Sequence, residues 1–240
     1  LHGFETFLVS LGSRPCIGQS FPKPDKYAKF VLMKYSLSPH RLFSPLAAAY
    51  GAGVRLRNKL YSQKIFSSYE SRLPVICVGN VTTGGSGKSP FVQYVANQLR
   101  EKGFKPVVLS RGYGGTNTQP HLVQANDLPA RVGDESLMHR LTLNEGISVV
   151  ISRNRAKGAQ FIEENALGDV IILDDGLQHH GLKRRLNILL LDGSDAKSIE
   201  RWRNGALLPA GWLREPLADA VRRSDCIIFT HKGISVEHSK

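Results

Sequence analysis

Lys88 and Ser89 close a run of glycines, Gly84-Gly85-Ser86-Gly87, that follows an apolar segment at 75–78 and leads into a helix-like stretch at 90–102. Glycines between a strand and a helix let the backbone curl until its N–H groups converge, and the helix N-terminus adds partial positive charge at the same place. That arrangement cradles phosphate. The expected nucleotide-binding set is therefore Thr82, Thr83, Gly84, Gly85, Ser86, Gly87, Lys88 and Ser89, with Lys88 reaching the β- and γ-phosphates and the Ser89 hydroxyl ligating Mg2+. The usual pattern has a glycine where this chain has Thr82. A second piece lies downstream, where the apolar run 170–173 ends in Asp174-Asp175. An acid at such a strand end holds the Mg2+ shell opposite the loop hydroxyl, so Ser89, Asp174 and Asp175 form the expected metal set, although adjacent aspartates also cap turns.

Phosphoryl transfer further needs cations for the equatorial oxygens and a group that takes the acceptor's proton. Arg111, in Ser110-Arg111-Gly112-Tyr113-Gly114-Gly115, and Arg153 and Arg155 all follow strand-like segments, where ligands bind in open parallel sheets. Asp134 and Glu135, in Val132-Gly133-Asp134-Glu135, open a helix, and Asp134 reads either as a proton acceptor or as a helix cap. No Asn-Lys-x-Asp element for guanine is present, which makes ATP the expected nucleotide.

Strands are expected at 75–78, 106–109, 147–151, 170–173, 188–191 and 227–229, and helices at 90–102, 134–143, 154–165 and 215–223. Alternation of this kind implies parallel strands joined by right-handed crossovers, an α/β fold of the P-loop NTPase type with a doubly wound, mostly parallel sheet. Ahead of it, residues 42–65 have helical spacing, with Leu42, Leu46, Ala49, Gly53, Leu56 and Leu60 on one side and Arg57, Lys59 and Lys64 elsewhere. This basic amphipathic helix either packs on the core or lies on an anionic lipid surface. Residues 1–41 are basic, Ser-bearing and poor in acids, as in an organelle transit segment or a disordered arm.

Composition bounds the rest. The chain has 240 residues, 41% of them hydrophobic, and no apolar run long enough for a membrane span. Its three cysteines, Cys16, Cys77 and Cys226, are far apart, which suggests neither a disulfide framework nor a zinc site. The net charge of +12 points to nucleic acid, an anionic membrane surface or a polyanionic substrate. Without interleaved aromatics or a nucleic-acid-binding fold, nucleic acid is not the expected partner.

Taken together, Gly79-Asn80, the glycine loop, Ser110-Arg111-Gly112-Tyr113-Gly114, Val132-Gly133-Asp134-Glu135, Asp174-Asp175-Gly176-Leu177-Gln178-His179, Leu207-Leu208-Pro209-Ala210-Gly211 and Leu213-Arg214-Glu215-Pro216 closely resemble the tetraacyldisaccharide 4'-kinase family, from about residue 42 to 230. The resemblance implies a membrane-surface P-loop kinase that moves the γ-phosphate of ATP to the 4'-hydroxyl of an acylated glucosamine disaccharide 1-phosphate. It assigns Asp134 to an acid-histidine pair that activates the sugar hydroxyl, Asp174 and Asp175 to Mg2+ and phosphate positioning, Lys88 and Arg155 to the transferring phosphate, and Asn204 and Glu215 to the neighbourhood of the nucleotide. It places the 42–66 helix against the membrane and 67–240 in the kinase domain, and in the family the histidine of the pair lies in a further C-terminal lobe, beyond His231 and His238. His179 and His180 then read as structural. Trp212 stands where proline is usual, Arg185 where aspartate is frequent, and 194–202 looks like an insertion. The basic leader adds the expectation of an organellar, mitochondrial membrane surface facing the matrix, the alternative being the cytoplasmic face of a bacterial inner membrane.

Overall fold

The computed structural model describes residues 6–10, for which only the backbone is considered, and 43–231. The fold is α/β, with a mostly parallel sheet and flanking helices. It divides into two compact units, one made of Asn58–Gly79 and Lys88–Asn187, the other of Leu1–Arg57, Asn80–Gly87 and Ile188–Lys240.

In the first of these, β2 (Val75–Asn80), β6 (Val170–Asp174), β3 (Pro106–Ser110), β5 (Ser148–Ile151) and β4 (His121–Leu122) lie side by side in that order. Strands β2, β6, β3 and β5 are parallel, and β6 sits between its neighbours with Ile171 opposite Val75 on one side and Val107 on the other. Every residue of β3 and β6 is buried, which is why both read as unbroken apolar runs rather than alternating ones. The crossovers carry α2 (Lys88–Glu101), the short α3 (Pro129–Val132), α4 (Asp134–Thr142) and α5 (Arg155–Glu164). Helix α5 begins where Asn154 accepts a hydrogen bond from the Lys157 amide at 3.2 Å. Its far end is tied down by Glu163, whose side chain is covered and takes hydrogen bonds from Tyr69, Ser71 and the backbone and guanidinium of Arg72. Burial alone would raise the Glu163 carboxyl, but these hydrogen bonds outweigh it and hold the group below the usual carboxylate range.

In the other unit, β7 (Leu186–Asp192) pairs in parallel with β8 (Cys226–Thr230), and β1 (Thr6–Ser10) runs antiparallel to β8 at the edge. Helices α6 (Ala196–Arg203) and α7 (Leu217–Arg223) accompany them. Strands β1 and β4 and helices α3 and α6 are additions to the expected elements, β1 lying within the 1–41 segment expected to lack regular structure, the rest of which falls outside the described residues. The α6 segment, which looks like an insertion, is a capped helix, with Asp195 accepting from the Ser198 amide at 2.7 Å.

The N-terminal helix α1 (Ser44–Ser62) forms within the expected span, but the buried stripe is Ala47, Gly51 and Val54. Leu46 and Leu56, expected on the packed side, are about 60% exposed, at 60% and 59%. Small residues win the inward face because the helix lies close: a Cβ on Gly51 would come within 2.6 Å of Leu207 Cδ1, and the Tyr50 hydroxyl donates to the Arg214 carbonyl at 2.8 Å. No helix among the described residues is long and apolar enough to cross a membrane.

Candidate phosphate and metal site

The glycine loop is held along one side by a segment that the sequence singled out for a different reason. Residues 207–215 run back beside it: the Thr83 amide donates to the Trp212 carbonyl at 2.9 Å, the Arg214 amide to the Val81 carbonyl at 2.8 Å, and Thr82 bridges to Leu213. Asn80 donates to the Thr82 hydroxyl at 3.2 Å, and the Thr230 hydroxyl at the end of β8 donates to the Ser86 carbonyl at 3.0 Å. Thr82, in the place where glycine is usual, thus uses its side chain as an acceptor. The Leu-Leu-Pro-Ala-Gly and Leu-Arg-Glu-Pro motifs act as a brace for the loop. Glu215 is fully buried and paired with Arg223, while Asn204 ends α6 and lines a groove with Arg201 and Trp212, where the guanidinium lies 4.7 Å from the ring centre.

Lys88 and Ser89 form the first turn of α2. The Lys88 ammonium is 3.8 Å from Asp175, whose backbone adopts the left-handed region at φ 50. The Ser89 hydroxyl donates to Glu135. Asp174, at the end of β6, points elsewhere: it is 1% exposed, and its carboxylate lies 3.4 Å from Nε2 of the fully buried His139. The two are near but not aligned as a hydrogen bond, and neither Asp174 oxygen nor either His139 nitrogen has a hydrogen-bond partner among the described residues. Buried polar atoms left this way cost about 1–3 kcal/mol each unless something else satisfies them.

Two backbone loops set the positions of Asp134 and Glu135. The glycines of the Ser110–Gly115 and Val132–Glu135 motifs pack main chain on main chain: a Cβ on Gly115 would lie 2.6 Å from the Arg131 carbonyl, and one on Gly133, at φ 86, 2.3 Å from that of Tyr113. Arg153 clasps the same turn, donating to the Gly115 carbonyl at 3.0 Å. Gly133 is the cap residue of α4, and no side chain caps this helix, so Asp134 does not serve as its N-cap but stands exposed on the first turn. Arg155 is 3% exposed beside Asp174 and donates to the Ser152 carbonyl at 2.7 Å. Burial pushes its guanidinium down to about 10, with Asp174 pulling the other way and Arg111 adding to the depression. It remains charged at neutral pH.

Sequence reasoning missed Glu135 as a partner of Ser89, and missed His139 altogether. The signal for both was their spacing: four residues apart in α4, they share one helix face. The donor atoms of Glu135, His139 and Asp174 lie within 4.8 Å of one another. Buried and unpaired oxygens beside a helix-start serine fit a divalent cation. The His180 ring packs 5.3 Å from that of Tyr61.

The family profile described as tetraacyldisaccharide-1-P 4'-kinase matches residues 39–240. The chain belongs to that family. Among its relatives, the tetraacyldisaccharide 4'-kinase of Psychromonas ingrahamii is 42% identical over 178 residues, covering 74% of this chain and 53% of the relative. That of Halorhodospira halophila is 39% identical over 208 residues, covering 81% and 61%. A solved structure of the family, LpxK from Aquifex aeolicus in complex with ATP, superposes with a TM-score of 0.69 at 36% identity, over 78% of this chain and 57% of that one. The chain spans about half the length of the first of these kinases.

Proposed function

We propose that this chain is an ATP-dependent lipid kinase that transfers the γ-phosphate of ATP to the 4'-hydroxyl of tetraacyldisaccharide 1-phosphate, yielding the bisphosphorylated lipid A precursor; the alternative is a nucleotide-binding P-loop module with little kinase activity. The observation that carries the reading is a glycine loop ending in Lys88 and Ser89, with Lys88 beside Asp175 and Ser89 bonded to Glu135. The ATP named for the Aquifex relative supports the nucleotide, and the relatives' names support the acceptor.

In this reading the amides of residues 82–87 surround the β-phosphate and Lys88 neutralises the β- and γ-oxygens. Ser89, Glu135, Asp174 and Asp175 are the residues that would hold Mg2+, which would supply positive charge against the charge developing on the transferring phosphate. Asp134, exposed at the head of α4, would serve as the acid of the acid-histidine pair that activates the sugar hydroxyl. Arg155 acts from behind Asp174 as a fixed positive charge on the side of the transferring group.

The acceptor is acylated and anionic, and α1 suits it: Leu46 and Leu56 are exposed alongside Arg55 and Lys59. We therefore place the chain at a membrane surface. Mitochondrial placement rests on the basic composition of residues 1–41 and is tested by importing a reporter fused to them; a reporter left outside the organelle favours the bacterial inner-membrane alternative.

The kinase reading is tested by incubating the chain with labelled ATP, Mg2+ and tetraacyldisaccharide 1-phosphate in mixed micelles. Label should pass to the lipid and be lost in Lys88→Ala and Asp134→Ala. ATP binding without transfer would restrict this chain to the nucleotide-binding role.

A further inference from the structure

A histidine nitrogen stands among the acids at the end of β6. His139 is fully buried, neither of its ring nitrogens has a hydrogen-bond partner among the described residues, and Nε2 is 3.4 Å from a carboxylate oxygen of Asp174 that is equally unsatisfied. Glu135, one helical turn earlier on the same face of α4, brings a third donor, and the three ligand atoms lie within 4.8 Å of one another. A purely structural imidazole in a core donates from one nitrogen and accepts at the other, and among the described residues this one does neither.

We propose that His139 joins Glu135 and Asp174 in ligating a divalent cation, and that the imidazole raises the site's affinity for Mn2+ or Co2+ more than its affinity for Mg2+. Donors about 2.1 Å from a shared ion stand at most about 4.2 Å apart, so the set needs only a slight contraction on loading. Two carboxylates and a neutral imidazole carry two negative charges, partly offset by Arg155 beside Asp174, which suits a dication. Mg2+ prefers an all-oxygen octahedron, whereas imidazole favours the first-row transition ions. Ser89, hydrogen-bonded to Glu135, couples the site to the head of α2. The ion's role in holding nucleotide phosphate rests on the kinase reading; its binding does not.

The test uses the full chain without nucleotide. Mn2+ and Mg2+ are titrated calorimetrically, and the Mn2+-loaded chain is examined by pulsed electron paramagnetic resonance for coupling to a directly bound nitrogen. The expected result is a Mn2+ site with imidazole coupling. In His139→Leu the coupling disappears and Mn2+ affinity falls at least about tenfold, while Mg2+ affinity falls less. Should the leucine variant not fold, His139→Asn takes its place. Absence of Mn2+ binding, bound Mn2+ with no nitrogen coupling, or an unchanged Mn2+/Mg2+ preference in the variant would each overturn the proposal. ATP binding is measured in parallel with Lys88→Ala. A chain that binds ATP through Lys88 and shows no nitrogen coupling refutes this inference alone, and one that binds Mn2+ through His139 but no ATP refutes the nucleotide reading alone.

Discussion

Asp174 and Asp175 are neighbours in sequence with opposite surroundings. Asp175, held at φ 50, turns its carboxylate to Lys88, whereas Asp174 is buried against His139 and Arg155. A non-glycine residue in the left-handed region costs about 1–3 kcal/mol, and strain of this kind persists where the surroundings impose it. The two aspartates should therefore respond differently to removal of charge. Asp174→Asn should weaken divalent-cation binding at least about tenfold and leave metal-free ATP binding nearly intact, as read by calorimetry with and without Mg2+. Gly133 bears on the same site through its main chain. Gly133→Ala places a methyl 2.3 Å from the Tyr113 carbonyl. The expected loss is about 2 kcal/mol or more in denaturant unfolding, together with reduced transfer activity as Asp134 and Glu135 shift. An unfolding midpoint equal to that of the wild type would show that the two motif loops are not packed as described.

At the scale of elements, Glu163 is where α5 is fastened to residues 69–72. Its carboxyl is depressed in the folded state, so the stability it contributes is present above the unfolded value near 4.3 and is lost as pH falls through the folded one. Glu163→Gln should lower stability by about 2 kcal/mol at neutral pH and flatten the acid limb of the pH profile. ATP binding should not change. Which elements were readable follows from the same physics. Strands β2, β3 and β6 are buried on both faces and announce themselves as Val-, Ile- and Leu-rich runs. The two-residue β4 has no pattern to detect, and α6 is too polar to show an apolar stripe, although Asp195 three residues before Ser198 was a legible cap. In the site, the loop and Asp174-Asp175 were legible because strand, glycines and acids fall in a fixed order. His139 was not, because a lone histidine in a helix reads as a core residue until the fold brings Asp174 to it. On α1 the period was right and the face was wrong, since close approach at Gly51 selects small residues for contact and leaves Leu46 and Leu56 outside.

For the whole molecule, a net charge of +12 and an exposed leucine pair on a basic helix predict attraction to anionic bilayers. In vesicle sedimentation the chain should bind phosphatidylglycerol-containing vesicles, bind neutral ones less, and lose affinity as salt rises. Leu46→Asp with Leu56→Asp should weaken binding about tenfold or more without lowering the thermal midpoint, because both side chains are already in water. Binding to neutral and anionic vesicles alike, indifferent to salt, would contradict the electrostatic part. The nucleotide site is the centre of the account, and an equilibrium titration of the chain with ATP and Mg2+, wild type beside Lys88→Ala, tests it most directly. Saturable binding that falls at least about tenfold in the variant is the predicted result, since a charge-assisted contact to phosphate is removed. Binding unaffected by Lys88→Ala, or no binding by a folded wild-type chain, would contradict it.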